Sequence, residues 1–184
     1  MTSALFASLP FTPEPPPVAL QAPSGGEEMT SGNFYDSVER HFTTFDVQIT
    51  GHSADAYLRA FTCVEAERRK GVVYLFRSER EVPRLVGSSD ILYIGQTKNS
   101  FQRRYQQWAA HHATIKRNEH TLAGYGPIRL STCDYRVFGE SLLAAENQLL
   151  WWYYANHFEY PPFNYTRAKN PGKVKPKAMP QEAA

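Results

Sequence analysis

Cysteine is scarce. The 184 residues hold two, Cys63 and Cys133, in separate segments and outside any CxxC or His/Cys ligand spacing. That argues against a disulfide framework and a structural zinc site, and it places the chain in a reducing, intracellular and cytoplasmic setting. Charge of one sign is lacking too. Twenty Lys and Arg face 18 Asp and Glu, a net charge of +2, so attraction to a polyanion must come from local patches. No apolar run approaches the roughly 18 residues of a membrane helix. The best stretch, 142–158, is interrupted by Glu146, Asn147, Gln148, Asn156 and His157, so no membrane partner is expected. Residues 1–9 lack a basic n-region and a sustained apolar core, which argues against a signal peptide. A chain of this length holds one domain of ordinary size.

Proline is present, and its placement sets the boundaries. Pro10, Pro13, Pro15, Pro16, Pro17 and Pro23 precede Ser24-Gly25-Gly26, a composition that sustains neither a helix nor a strand ladder, so 1–34 reads as a disordered leader. At the other end Lys169, Lys173, Lys175 and Lys177 lie among Pro171, Gly172, Pro176 and Pro180, and 168–184 reads as a flexible basic tail.

Between these ends, 36–42 is predicted as a short helix with Val38 and Phe42 on one face. Ser53 is placed to cap a helix through Tyr57, Phe61 and Val64 to about residue 69, giving a helical segment over 35–70. Residues 71–76 and 91–94 are β-branched and aromatic runs, read as an antiparallel hairpin with a long polar loop. Ser100 caps a helix toward Asn118, and Gly124, Gly126 and Pro127 break the chain before a third strand, 128–138. A last helix, 141–157, ends before Pro161-Pro162. The expected class is α/β: a small mixed or antiparallel three-stranded sheet flanked by helices, behind an N-terminal helical segment.

Within 141–158, Glu146 is the sole Asp, Glu, Lys or Arg. A helix this apolar is expected to be mostly buried, and an ionised carboxylate there costs several kcal/mol unless it is paired or ligates a cation. A buried Glu satisfied by Arg or backbone donors, a metal ligand and an exposed position all remain open on this residue alone. Other residues bear on the choice: Tyr74; then Tyr93-Ile94-Gly95-Gln96-Thr97-Lys98-Asn99; then Phe101-x-x-Arg104-Tyr105; and, after Glu146, Pro161-Pro162-Phe163-Asn164.

This ordered set resembles the GIY-YIG endonuclease family over about 71–167, the whole expected core. By that resemblance Tyr74 and Tyr93 match the tyrosines of the first and second motifs and Arg104 the helix arginine. Glu146 matches the single metal-binding glutamate, and Asn164 the asparagine after a proline-aromatic turn. The resemblance implies hydrolysis of a DNA phosphodiester with one divalent cation, Mg²⁺ or Mn²⁺, a tyrosine helping to activate water. Preorganised cations beside developing negative charge would lower that barrier. It fits a small restriction-type enzyme better than a homing enzyme, and a homodimer is left open.

Three departures stand out. Gly71 lies one position early in Val72-Val73-Tyr74. The 18 residues between Tyr74 and Tyr93 exceed a compact hairpin's needs, and read as either a DNA-touching or a solvated insertion. Trp108 stands where the family often has a histidine. On a continuous helix His111 projects about 20° from Arg104, so it is the candidate to replace that histidine, against an ordinary surface role. Lys98, Arg103, Lys116 and Arg117 make the region locally basic and are the candidate nucleic-acid contacts, against solvated helix charge. An alternative alignment puts Arg103 in the place of Arg104. The aromatic run at 151–154 is expected to pack rather than stack on bases. A catalytically silent nucleic-acid-binding module and an unrelated α/β interaction domain are the rival readings.

Overall fold

A computed structural model describes residues 31–164; the leader before Ser31 and the basic tail lie outside them. The elements in chain order are α1 (Ser31–His41), β1 (Thr43–Thr44), α2 (Ala54–Phe61), α3 (Val64–Arg68), β2 (Val72–Pro83) and β3 (Ser88–Thr97). They continue with α4 (Phe101–Tyr105), α5 (Ala109–His112), α6 (Lys116–Tyr125), β4 (Ile128–Asp134) and α7 (Leu142–His157). Short 3₁₀ turns, Gln106–Trp108 and Tyr135–Val137, follow α4 and β4. The class is mixed α/β, and the sheet is antiparallel throughout in the order β1-β4-β2-β3.

Four strands replace the expected three. The extra one, β1, has two residues and no readable periodicity, yet the chain after it stays on β4: Phe45 N–H donates to the Leu130 carbonyl at 2.8 Å and Ile49 N–H to Ile128 at 2.9 Å. The long loop expected after residue 76 is mostly strand. β2 runs to Pro83 and β3 starts at Ser88, leaving a tight turn closed by Arg84 N–H on the Gly87 carbonyl at 3.0 Å. Two of its charges, which read as part of a DNA-touching or a solvated insertion, pair within the fold: Arg77 Nε donates to Asp90 at 2.7 Å, and Arg129 of β4 reaches the same carboxylate at 3.2 Å. Ser88 also donates to Glu81.

Helix α1 starts at Ser31, inside the stretch assigned to the leader, and Phe34 is fully buried. The expected 53–69 helix is two, with Ser53 Oγ accepting from Ala56 N–H at 3.2 Å as the cap of the first. The expected 101–118 helix also breaks. Thr114 turns both its N–H and its hydroxyl onto the His111 carbonyl, at 3.0 and 2.8 Å, a local bond that competes with helix continuation. The strand expected over 128–138 ends at Asp134, whose side chain accepts from Arg136 N–H at 2.9 Å and starts the 3₁₀ turn. Ser141 caps α7, its Oγ accepting from Ala144 N–H at 3.1 Å. Although α7 is apolar nearly all round, Leu143 and Trp151 are exposed, and its buried side is Ala145, Glu146, Leu149, Tyr153 and His157.

The sheet separates two cores. Under α1 and α7 lie Phe34, Val38, Val73, Leu75, Ile91, Ile94, Leu149 and Tyr153. On the other face Tyr74, Phe76, Leu92, Phe101 and Tyr105 pack with Tyr57 and Phe61 of α2. The β2–β3 register shifts between the pairs Phe76↔Tyr93 and Arg77↔Ile91, leaving Leu92 as an extra residue. That bulge puts Leu92 and Tyr93 together on the second face, while Ile91 and Ile94 stay on the first.

Candidate active site

Strand pairing sets the centre of the site. Tyr74 lies opposite Gly95, and the Tyr74 and Tyr93 rings are 6.0 Å apart. A β-carbon at Gly95 would stand 2.6 Å from the Tyr93 ring and 2.7 Å from the Tyr74 hydroxyl. Glycine is required here by the approach of two tyrosines, not by an unusual backbone angle. Gly71, by contrast, takes φ +65 just before β2. The early glycine therefore serves the turn into the strand, and Tyr74 keeps its place on the pleat.

The Tyr74 hydroxyl is 3.0 Å from that of Tyr105, and Phe101 stacks on Tyr105 with ring centroids 4.6 Å apart. Burial, with the neighbouring Tyr105 and Tyr93 hydroxyls, pushes Tyr74 well above the ordinary phenol range, and Arg104 opposes this. Tyr105 is also pushed up, first by burial, with a contribution from the Glu146 carboxylate. Both phenols are therefore neutral near pH 7, one donating to the other across the pair. Tyr93 is only half-buried, so it is the one of the two motif tyrosines with access to solvent.

Arg104 is exposed on α4, its guanidinium 6.0 Å from the Tyr105 ring centre. It lines a surface cleft of about 240 Å³ with Tyr105, Trp108, His111 and His112. His111 thus shares a cleft with Arg104 despite the 3₁₀ break, and its ring lies 5.8 Å from that of Trp108. Arg103 lines a different cleft, with Glu67, Lys70, Ser100, Gln102 and Gln106, which separates the two arginines and favours Arg104 for this site.

Glu146 is 3% exposed on the first turns of α7, and its charge is felt at the Tyr105 hydroxyl. Among the described residues no group of three or more His, Cys, Asp and Glu gathers. An ion at Glu146 would therefore be held by fewer than three such side chains, as suits Mg²⁺, which keeps several of its waters.

Asn164 has a positioning role. Its Oδ1 accepts from Ile94 N–H at 3.0 Å and its Nδ2 donates to the Ile94 carbonyl at 2.8 Å. Phe163 N–H adds a bond to the Leu92 carbonyl at 2.8 Å. β3 is the sheet edge, and this segment occupies its outward backbone groups, which would otherwise be unpaired. The amide that sequence resemblance puts among catalytic groups is committed here to holding the second motif straight.

Lys98 and Lys116 are exposed, as nucleic-acid contacts need to be, but Arg117 is half-buried with its guanidinium 4.1 Å from the Phe163 ring centre. That stacking braces the Asn164 segment. Two residues of the site escaped the sequence reading. Tyr105 looked like a mere apolar spacer. His112, which projects away from Arg104 on an ideal helix, is turned inward against Tyr57, Phe61, Phe76 and Tyr105. Burial holds its imidazole down at about 4, with His111 and Arg117 adding to the effect. The run of ring residues around Tyr105 was the available signal. Of the aromatics at 151–154, Tyr153 is core and Trp152 packs against Phe34 and Phe138, while Trp151 stacks on Tyr154 at the surface.

No protein-family model, curated protein or solved structure matches this chain. No helix among the described residues is long and apolar enough to cross a membrane.

Proposed function

We propose that this chain is a divalent-metal-dependent phosphodiesterase, a DNA endonuclease of the GIY-YIG type, with a small restriction-type enzyme as its narrower assignment. The reading rests on one observation: Tyr74, Tyr93 and Gly95 pack together next to Tyr105, which lines the open cleft of Arg104 and feels the Glu146 carboxylate, with these residues in the family's order along the chain. Glu146 would hold Mg²⁺ or Mn²⁺, which would supply positive charge to a bound phosphate. Arg104, at the cleft surface, meets the phosphate oxygens as they gain charge in the transition state. Tyr74, kept protonated by burial and oriented by Tyr105, donates a hydrogen bond, and half-buried Tyr93 faces the attacking water. His111 stands beside Arg104 as a second group for orienting water or phosphate.

The test is plasmid cleavage with Mg²⁺, with and without EDTA, by wild type and by Glu146→Gln. The wild type is expected to cut only with metal, and the variant to bind DNA without cutting it, since the substitution keeps shape and removes the ligating charge. Cleavage by Glu146→Gln at the wild-type rate overturns the assignment. Trp108 in the place of the family's histidine and the raised Tyr74 and Tyr105 favour a second reading, a catalytically silent DNA-binding module. Metal-independent binding with no cleavage under any condition would select it.

A further inference from the structure

The larger cleft beside α4 has no part in the chemistry above. It measures about 400 Å³ and is lined by Glu67, Lys70, Ser100, Gln102, Arg103 and Gln106. Arg68, Arg69 and Lys70 follow one another into β2, all exposed, and Gly71 N–H on the Lys98 carbonyl at 3.3 Å holds this run beside Lys98. Lys70 and Arg103 line this cleft with one carboxylate, Glu67, while Arg68 and Arg69 line a small separate cleft with Glu65, and Lys98 stands beside the run. Among the described residues none of these five cations forms an ion pair, unlike Arg77, Arg84, Arg129 and Arg136. Arg68 is partly offset by Glu65, with which it interacts electrostatically. Arg69 interacts with the Cys133 thiol, and among the described residues no carboxylate forms an ion pair with Arg69, Lys70 or Arg103.

The position matters as much as the charge. Val72 pairs with Thr97, two residues along the hairpin from the Tyr74↔Gly95 pair. That is about 7 Å along a strand, or about two nucleotides' rise of one DNA strand at 3.4 Å each. We infer that this basic surface, the cleft of Lys70 and Arg103 together with the small cleft of Arg69, is a second DNA-binding site, holding the phosphate backbone that flanks the phosphate at the tyrosines, with Arg69, Lys70 and Arg103 as its contacts. The inference rests on the endonuclease reading and adds a separate source of affinity. Unpaired surface cations release counterions from DNA when they bind phosphate, so the signature is a salt slope.

The experiment is anisotropy of a labelled DNA duplex in EDTA, from 50 to 200 mM salt, with the full chain, R69Q/K70Q and the charge-matched control R40Q/R80Q. Arg40 and Arg80 are exposed and lie away from the cleft, at the end of α1 and far along β2. R69Q/K70Q is expected to weaken binding about tenfold and to lower the slope of log affinity on log salt by about 1.8, at 0.9 per phosphate contact. The control is expected to stay within about twofold of wild type. Equal weakening in both variants would reduce the effect to net charge and overturn the site, as would R69Q/K70Q binding like wild type. A wild type that binds no duplex even at low salt would bring down the endonuclease reading along with this one, whereas metal-dependent cutting by R69Q/K70Q with unaltered affinity would remove the cleft alone.

Discussion

The two faces of the sheet are built from alternate residues of the same strands and differ in what they can do. Val73 and Leu75 of β2 look toward α1 and α7 and join Ile91, Ile94 and Leu149 in a face filled by packing. Tyr74 and Phe76 look the other way, toward Tyr93, Phe101, Tyr105 and His112, where nearly every ring touches another and several carry a hydroxyl or imidazole. An aliphatic face tolerates volume-conserving exchange. The aromatic face depends on a missing side chain at Gly95, a hydroxyl pair at Tyr74 and Tyr105, and an amide clamp from Asn164.

The comparison breaks most visibly at Phe34, which is fully buried on the side of the sheet covered by α1 and α7. Phe34→Ala is expected to cost about 3–5 kcal/mol in urea unfolding while the cleavage rate per folded molecule stays near wild type. A loss below about 1 kcal/mol would show that α1 is not integral to that face. The same burial means that a truncation through residue 34 destabilises the fold.

Arg104→Ala tests the opposite side. The lost guanidinium is expected to raise the cleavage barrier by about 2.7–4 kcal/mol, as for an oxyanion-hole donor, without a shift in melting temperature because Arg104 is exposed. Full activity in this variant would remove Arg104 from the chemistry. Gly95→Ala should affect both properties at once. Its β-carbon forces the Tyr74 and Tyr93 rings apart, and a stability loss of about 1–3 kcal/mol is expected together with a drop in cleavage, read from a melt and a plasmid assay on the same preparation.

The smallest effect per step is a pH slope. His112 titrates at about 4 in the fold, below the ordinary 6.5, chiefly because it is buried. As pH falls below 6.5 the unfolded chain takes up the proton first, so this contribution is fully present above 6.5 and is lost between 6.5 and 4, at up to about 1.4 kcal/mol per pH unit. Urea midpoints from pH 7 to 4.5 are expected to fall less steeply for His112→Asn than for wild type. Parallel curves would show that the ring titrates normally.

Local chemistry of the sequence determined the helix starts at Ser53, Ser100 and Ser141, because a serine hydroxyl before an apolar-periodic run satisfies a first-turn N–H whatever surrounds it. It also determined the core of β2 and β3, since β-branched and aromatic runs carry their own signal, whereas the burial of Glu146, left open by the residue alone, was decided by the fold. Tertiary structure alone decided the rest. β1 exists because β4 offers an edge, and the 77–90 stretch is hairpin because Arg77, Arg129 and Asp90 neutralise one another across it. Asn164 became a backbone clamp because β3 is unpaired outside, and Tyr105 and His112 turned inward because the helix after Ser100 breaks into short pieces. These outcomes depend on partners distant in the chain, and only the folded molecule brings those partners within bonding distance.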